Sequence, residues 1–142
     1  MILIIVASIL FFDQLTKFLA VKLLPLNHPL AVIDNFFYLT LVRNKGAAFG
    51  ILKDQLVFFI LITLVAIVII ALSLKEKNSS RLYKIGLAFM LAGALGNLID
   101  RVSFGYVVDF LDFRVWPVFN LADSFVTIGA VFFGWVTLFE KK

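Results

Sequence analysis

Polar and apolar positions in this chain fall into long blocks, not the short alternations of a water-soluble domain. Four blocks are almost wholly apolar: about Met1 to Leu24, Leu56 to Leu74, Leu82 to about Ile99, and Val118 to Phe139. A helix needs about 20 mainly apolar residues to cross the hydrocarbon core of a bilayer, so each block predicts one transmembrane helix. The first is interrupted by Asp13, Gln14, Thr16 and Lys17 and resumes from Phe18 to Leu24. Its start, Met1 to Phe12, also resembles the apolar core of a signal peptide. No basic residue precedes that core and no small-residue cleavage site ends it, so a retained helix is expected. Asp13 and Lys17 stand four apart on one helical face, a spacing at which opposite charges pair. Lys22 has the reach to snorkel to the interface; Asp13 does not, which predicts a buried role for it. The second block has only Thr63 and Ser73 as polar residues and reads as scaffold. In the third, Ala88, Ala92 and Gly96 recur every four residues, a small-residue stripe suited to close helix packing. Ala130 and Gly134 form a second small pair in the fourth.

The segment Pro25 to Gln55 breaks this pattern. Pro25 and Pro29 stop the first helix. Ala31 to Ile33 and Phe36 to Arg43 are rich in β-branched and aromatic residues, with Asp34-Asn35 as the turn between them, a strand–turn–strand signal. Phe37, Leu39 and Leu41 are expected on one face, Tyr38 and Thr40 on the other. R-N-K-G-A-A-F-G follows, from Arg43 to Gly50. Gly46 and Gly50 permit tight turns, and Ala47 and Ala48 permit close approach. That stretch reads equally as a plain strand-to-helix loop or as a binding edge that places Asn44 over the membrane boundary. His28, the single histidine, lies between two prolines and is expected in solvent.

Composition sharpens the class. The chain has 142 residues and is 63% hydrophobic, where soluble domains are about half apolar; it is an integral membrane protein, and one domain, 1–142, is the natural count at this length. The absence of cysteine excludes thiol nucleophiles, thiolate metal sites and disulfides. A net charge of +4 built from few charges does not suggest nucleic acid. Basic residues set orientation. Lys75, Lys77, Arg81, Lys84, Lys141 and Lys142 are six on one side, against five spread over the other: Arg43, Lys45, Lys53, Arg101 and Arg114. Density favours both termini and the Lys75 to Lys84 linker inside, with the strand-rich loop outside.

The chemistry gathers between Gly93 and Ser124. Within this stretch stand Asp100, Asp109, Asp112, Asp123, Asn97, Asn120 and Arg101. Ionisable groups in a membrane span cost about 3 kcal/mol each on insertion scales, so a functional role is their default reading. Asp109 lies in the short connection after an apolar helix, and Asp123 lies just inside the next. The two carboxylates can therefore meet at one membrane boundary. A proton-coupled transporter would scatter ionisable residues through the membrane depth, whereas here they cluster at one surface. A purely structural protein has uses for helix caps, but two carboxylates with two amides and a guanidinium exceed that need. An enzyme at the outer surface fits best. Ser124 beside Asp123 invites a serine–lysine dyad with Lys17 or Lys45, but nothing in the sequence places either lysine near it. No metal site is expected, since His28 is remote and carboxylates alone make no compelling cage.

Five motifs then match one family: D-Q-L-T-K at Asp13 to Lys17, R-N-K-G-A-A-F-G at Arg43 to Gly50, G-N-L-I-D-R at Gly96 to Arg101, V-V-D-F at Val107 to Phe110, and F-N-L-A-D-S at Phe119 to Ser124. In this order on a four-span chain they resemble lipoprotein signal peptidase, the type II signal peptidase of bacteria, over nearly the whole length. The resemblance implies an all-α membrane protein of four transmembrane helices with a small β-rich extramembrane cradle on the outer face of the cytoplasmic membrane. It implies an aspartyl endopeptidase, without cofactor, that removes signal peptides from prolipoproteins once the substrate's cysteine carries a diacylglyceryl group, with membrane lipids as surroundings. The catalytic aspartates carry over to Asp109 and Asp123, and supporting positions to Asp13, Lys17, Asn44, Asn97, Asp100, Arg101 and Asn120. The Asp112 to Pro117 connection is shorter than in many members, which bears on the shape of the substrate rim.

Overall fold

A computed structural model describes residues 1–46, 55–76 and 79–139. Ala47, Ala48 and Gly50 of the expected turn lie outside the described residues, as do Lys53, Lys77, Lys141 and Lys142 of the orientation argument. The elements run α1 (Ile2–Leu23), β1 (Leu30–Ile33), β2 (Phe37–Asn44), α2 (Leu56–Ser73), α3 (Arg81–Phe104), β3 (Val107–Asp112) and α4 (Leu121–Phe139). All four helices are long and apolar enough to cross a membrane. Their outward faces carry large exposed apolar side chains such as Leu3, Phe18, Val65 and Leu138. In water that surface would be a liability; in lipid it is solvent-matched, and the chain is a multi-pass membrane protein.

Helix α3 is the central element, packing on α1, α2 and α4. Small residues explain the closest of these contacts, and against α4 they are two glycines outside the Ala88, Ala92 and Gly96 stripe. A β-carbon built on Gly93 would stand 2.6 Å from Val126 Cγ2 and clash with the carbonyl of Ala122. One built on Gly86 would stand 2.9 Å from the carbonyl oxygen of Gly129. Backbones can approach this closely only where side chains are absent. Ala88 and Ala92 are fully buried with Val6 and Ile9 of α1. The second small pair plays no such part among the described residues: Ala130 is exposed, and a β-carbon on Gly134 would meet none of them within 4 Å. The glycine of α4 that packs is Gly129, because its side of the helix faces α3.

The three strands form one antiparallel sheet in the order β1-β2-β3. The two strands read from the alternation are β1 and β2. The third corrects the reading of the segment that holds Asp109 as a plain connection after the helix. The helix expected to end near Ile99 continues to Phe104, since Asp100 and Arg101 do not break a helix, and it stops at Gly105. There φ is 77°, a left-handed cap open to glycine, and the Gly105 N–H closes on the Arg101 carbonyl at 3.0 Å. The chain turns there into β3. Strand β3 is buried almost throughout, so its sequence shows no alternation. Val108 and Phe110 pack with Ala20 and Leu41. The strict alternation expected along β2 fails at one place. The pairing slips by one residue between Leu39 and Val42, a bulge that turns both Thr40 and Leu41 inward. Helix α4 begins at Leu121, not at Val118, because Phe119 is still extended and pairs with Leu111.

Candidate active site

The site begins with the start of α4. Asn120 is its N-cap: Asn120 Oδ1 accepts from the Asp123 N–H at 2.9 Å, and Asp123 Oδ2 accepts from the Asn120 N–H at 3.3 Å. This reciprocal capping box satisfies helix-end donors and locks the rotamers of both residues. The other Asp123 oxygen, Oδ1, accepts from Asn97 Nδ2 at 2.7 Å, one turn before the end of α3 region occupied by Asp100 and Arg101. Asp109 enters from β3. Its Oδ1 accepts from Asn120 Nδ2 at 2.7 Å and its Oδ2 from Asn44 Nδ2 at 2.9 Å. Asn44 ends β2, and its own Oδ1 accepts from the Gly46 N–H at 2.9 Å, which fixes the amide. One residue, Asn120, thus touches both carboxylates.

Behind the pair lies a buried charge cluster. The Lys17 ammonium contacts Asp13 Oδ2 at 2.9 Å, Asp100 Oδ2 at 3.0 Å and Asn97 Oδ1 at 3.0 Å. An ammonium has three N–H donors and no acceptor, so Lys17 is fully engaged. The expected Asp13–Lys17 pair is present and buried. The partner of Asp100 is Lys17, not the adjacent Arg101, whose guanidinium lies over the Phe59 ring at 5.2 Å on the cleft wall. Gln14, not among the expected supporting residues, joins this cluster through Asp13 and Asp100. Thr40 and Asp112 form a separate buried bond of 2.7 Å within the sheet.

A cleft of about 250 Å³ opens over the carboxylates, lined by Asn44, Asn97, Arg101, Asp109, Trp116 and Asp123 among others. Burial, helped by the nearby Asp123 charge, pushes the Asp109 carboxyl up to about 7; the Asn44 and Asn120 hydrogen bonds and the Lys17 charge pull the other way. A carboxyl titrating there is protonated in a large share of molecules at neutral pH and still parts with its proton readily. Ser124 offers no comparable chemistry: its hydroxyl donates back to the Asn120 carbonyl at 3.1 Å, and Lys17 has no N–H to spare for it. His28 is exposed in the segment between α1 and β1.

Known proteins match this chain along its length. The family model for signal peptidase (SPase) II matches residues 5–139. A lipoprotein signal peptidase of Caldanaerobacter subterraneus subsp. tengcongensis is 48% identical over 141 residues, covering 99% of this chain and 97% of that protein. Another, of Moorella thermoacetica, is 49% identical over 131 residues, covering 92% and 87%. Two solved structures of bacterial membrane enzymes superpose with TM-scores of 0.88 and 0.89 at 33% and 34% identity, each covering 99% of this chain and 92% and 94% of theirs. With sequence and fold agreeing end to end, the chain belongs to the signal peptidase II family, membrane-embedded aspartyl peptidases that cleave signal peptides from prolipoproteins.

Proposed function

We propose that Asp109 and Asp123 are the catalytic pair and that residues 1–142 form a single peptidase domain around them. The observation that carries this reading is the shared contact with Asn120, at 2.7 Å to Asp109 and 3.3 Å to Asp123. Two carboxylates held at one site do not both ionise easily, so the pair keeps one proton near neutral pH. Asp109 holds that proton and donates a hydrogen bond to the scissile carbonyl. Ionised Asp123 takes a proton from water as the water oxygen attacks the carbonyl carbon. The tetrahedral intermediate then collapses, the C–N bond breaks, and the leaving nitrogen takes up the proton from Asp123. Two carboxylates and water suffice for these steps, and no cofactor is part of them.

The asparagines hold the pair. Asn97 and Asn120 orient Asp123 and Asp109 from the α3 and α4 sides, and Asn44 holds the outer oxygen of Asp109. Arg101, on the cleft wall, binds a peptide carbonyl of the substrate. Asp13, Lys17 and Asp100 support the site from behind. The substrate is a prolipoprotein already carrying a diacylglyceryl group, cut on the N-terminal side of its lipidated cysteine. The site faces the outer side of the cytoplasmic membrane. Support for the lipidated substrate comes from the cleft's place at the ends of membrane helices, where one partner can be peptide and lipid at once.

The deciding experiment incubates purified protein with a synthetic prolipoprotein peptide, with and without the diacylglyceryl group, and weighs the products. Release of the signal peptide from the lipidated form alone is expected; equal cleavage of both forms would remove the lipid requirement. Cysteines introduced at Asn78 and Asp54 test orientation: Asn78→Cys should label from the cytoplasmic side and Asp54→Cys from outside. The reverse pattern would put the site on the wrong face for exported substrates.

A further inference from the structure

The cluster behind the site has a geometry that support alone does not require. Each of its two carboxylates grips the backbone N–H immediately ahead of one member of the catalytic pair. Asp13 Oδ1 accepts from the Ala122 N–H at 2.9 Å, one residue before Asp123. Asp100 Oδ2 accepts from the Val108 N–H at 3.0 Å, one residue before Asp109. Asp13 therefore ties α1 to the first turn of α4, and Asp100 ties the end of α3 to β3. Gly96 makes room for the first of these ties, since a β-carbon there would clash with the Asp13 carboxylate. Through these two struts, the separation of Asp109 and Asp123 follows the separation of Asp13 and Asp100.

Something must set that second separation, because two buried carboxylates repel. Lys17 supplies the charge, but an ammonium is a compact point charge on a flexible stem and imposes little direction. The planar amide of Gln14 imposes more. Its Nε2 donates to Asp13 Oδ2 at 3.1 Å and to Asp100 Oδ1 at 3.1 Å, with the Gly96 carbonyl at 3.3 Å. Gln14 is only half-buried and sits in a membrane span, where a polar side chain is costly unless it has a task. We propose that Gln14 is a positioning residue whose amide braces Asp13 against Asp100 and thereby sets the spacing of Asp109 and Asp123. This rests on the assignment of those two aspartates as the reacting pair.

The test replaces the brace without disturbing shape. Gln14→Met keeps the length and flexibility of the side chain and removes its donors. Active sites are counted by titration with a non-cleavable lipidated peptide, so that kcat refers to folded enzyme. Misplacement on the ångström scale costs about 100-fold in rate, so kcat is expected to fall about 10- to 100-fold while KM stays within about two-fold. Gln14→Glu, with the same shape but a third carboxylate against two others, is held to the same measure and serves if the methionine variant does not accumulate. An unchanged kcat, or a loss carried wholly by KM or by fewer folded molecules, overturns the proposal. Asp109→Asn separates the two levels. If it is inactive while Gln14→Met is fully active, the brace alone fails; if Asp109→Asn still turns over, the catalytic assignment fails first.

Discussion

Helices α2 and α4 are nearly equal in length, 18 and 19 residues, and differ in almost everything else. Helix α2 is the more apolar, with Thr63 and Ser73 bonding back to their own helix carbonyls, yet only Ile70 is buried. Helix α4 carries Asp123, Ser124 and Thr127 in its first turns, yet buries Ala122, Gly129 and Val136 at seven-residue intervals against α3. In water the more apolar helix would be the core. In lipid, apolar surface gains nothing by meeting another helix, so close packing falls to small residues and polar contacts. The lesson is that hydropathy finds the spans while glycines and amides find the site. Helix α2 still reaches the cleft wall near its N-terminal end, where Phe59 lies under Arg101.

The sharpest way to press this contrast is to remove the charge chemistry of α4 and β3. Asp109→Asn and Asp123→Asn keep size but lose the carboxylate, and each should lower the rate of lipopeptide cleavage by about 10³-fold or more. Residues acting as one unit lose function together, so the double variant should be no worse than either single one. Asp112→Asn, bonded to Thr40 and outside the cleft, should retain substantial activity; its inactivity would widen the catalytic assignment beyond the pair.

Packing is the next target. Gly93→Leu drives a side chain into Ala122 and Val126 and should destabilise the α3–α4 contact by at least the about 1–3 kcal/mol of an overpacked core. Val65→Ala, on the exposed side of α2, should stay within about 0.5 kcal/mol. Thermal unfolding in detergent micelles measures both, and similar losses would erase the distinction between the two helices.

The smallest expected effect is a shift along the pH axis. Cleavage against pH should be bell-shaped, with the alkaline side falling as Asp109 loses its proton near 7. The Asn44 amide donates to Asp109 and favours its ionised form. Asn44→Ala removes that preference, so the carboxyl should hold its proton to higher pH and the alkaline limb should move upward, together with a roughly ten-fold loss in rate from weaker positioning. A limb that stays put, with folded protein lost in proportion to activity, would return Asn44 to an ordinary loop role.

What the sequence alone determined is the membrane class, the four spans, the first two strands and the family. These are local quantities: runs of apolar residues, β-branched alternation, and charged groups too costly to stand in lipid without cause. It could not show that Val107–Asp112 is a strand, because a strand buried on both faces has no alternation to display. Nor could it show which small residues pack: Gly129 and Ala130 are neighbours in the chain, and only the direction of α3 decides that Gly129 is the one buried. The site residues carry the same lesson. Gln14 stood inside D-Q-L-T-K without a role of its own, and nothing local in the sequence names a partner for Asp100. The partner of Asp100, Lys17, lies more than 80 positions away in sequence, and the crossing of α1 and α3 brings the two together. Only the tertiary structure fixes which donor reaches which carboxylate, because hydrogen bonds are decided over distances of about 3 Å by backbones that the sequence does not bring together locally.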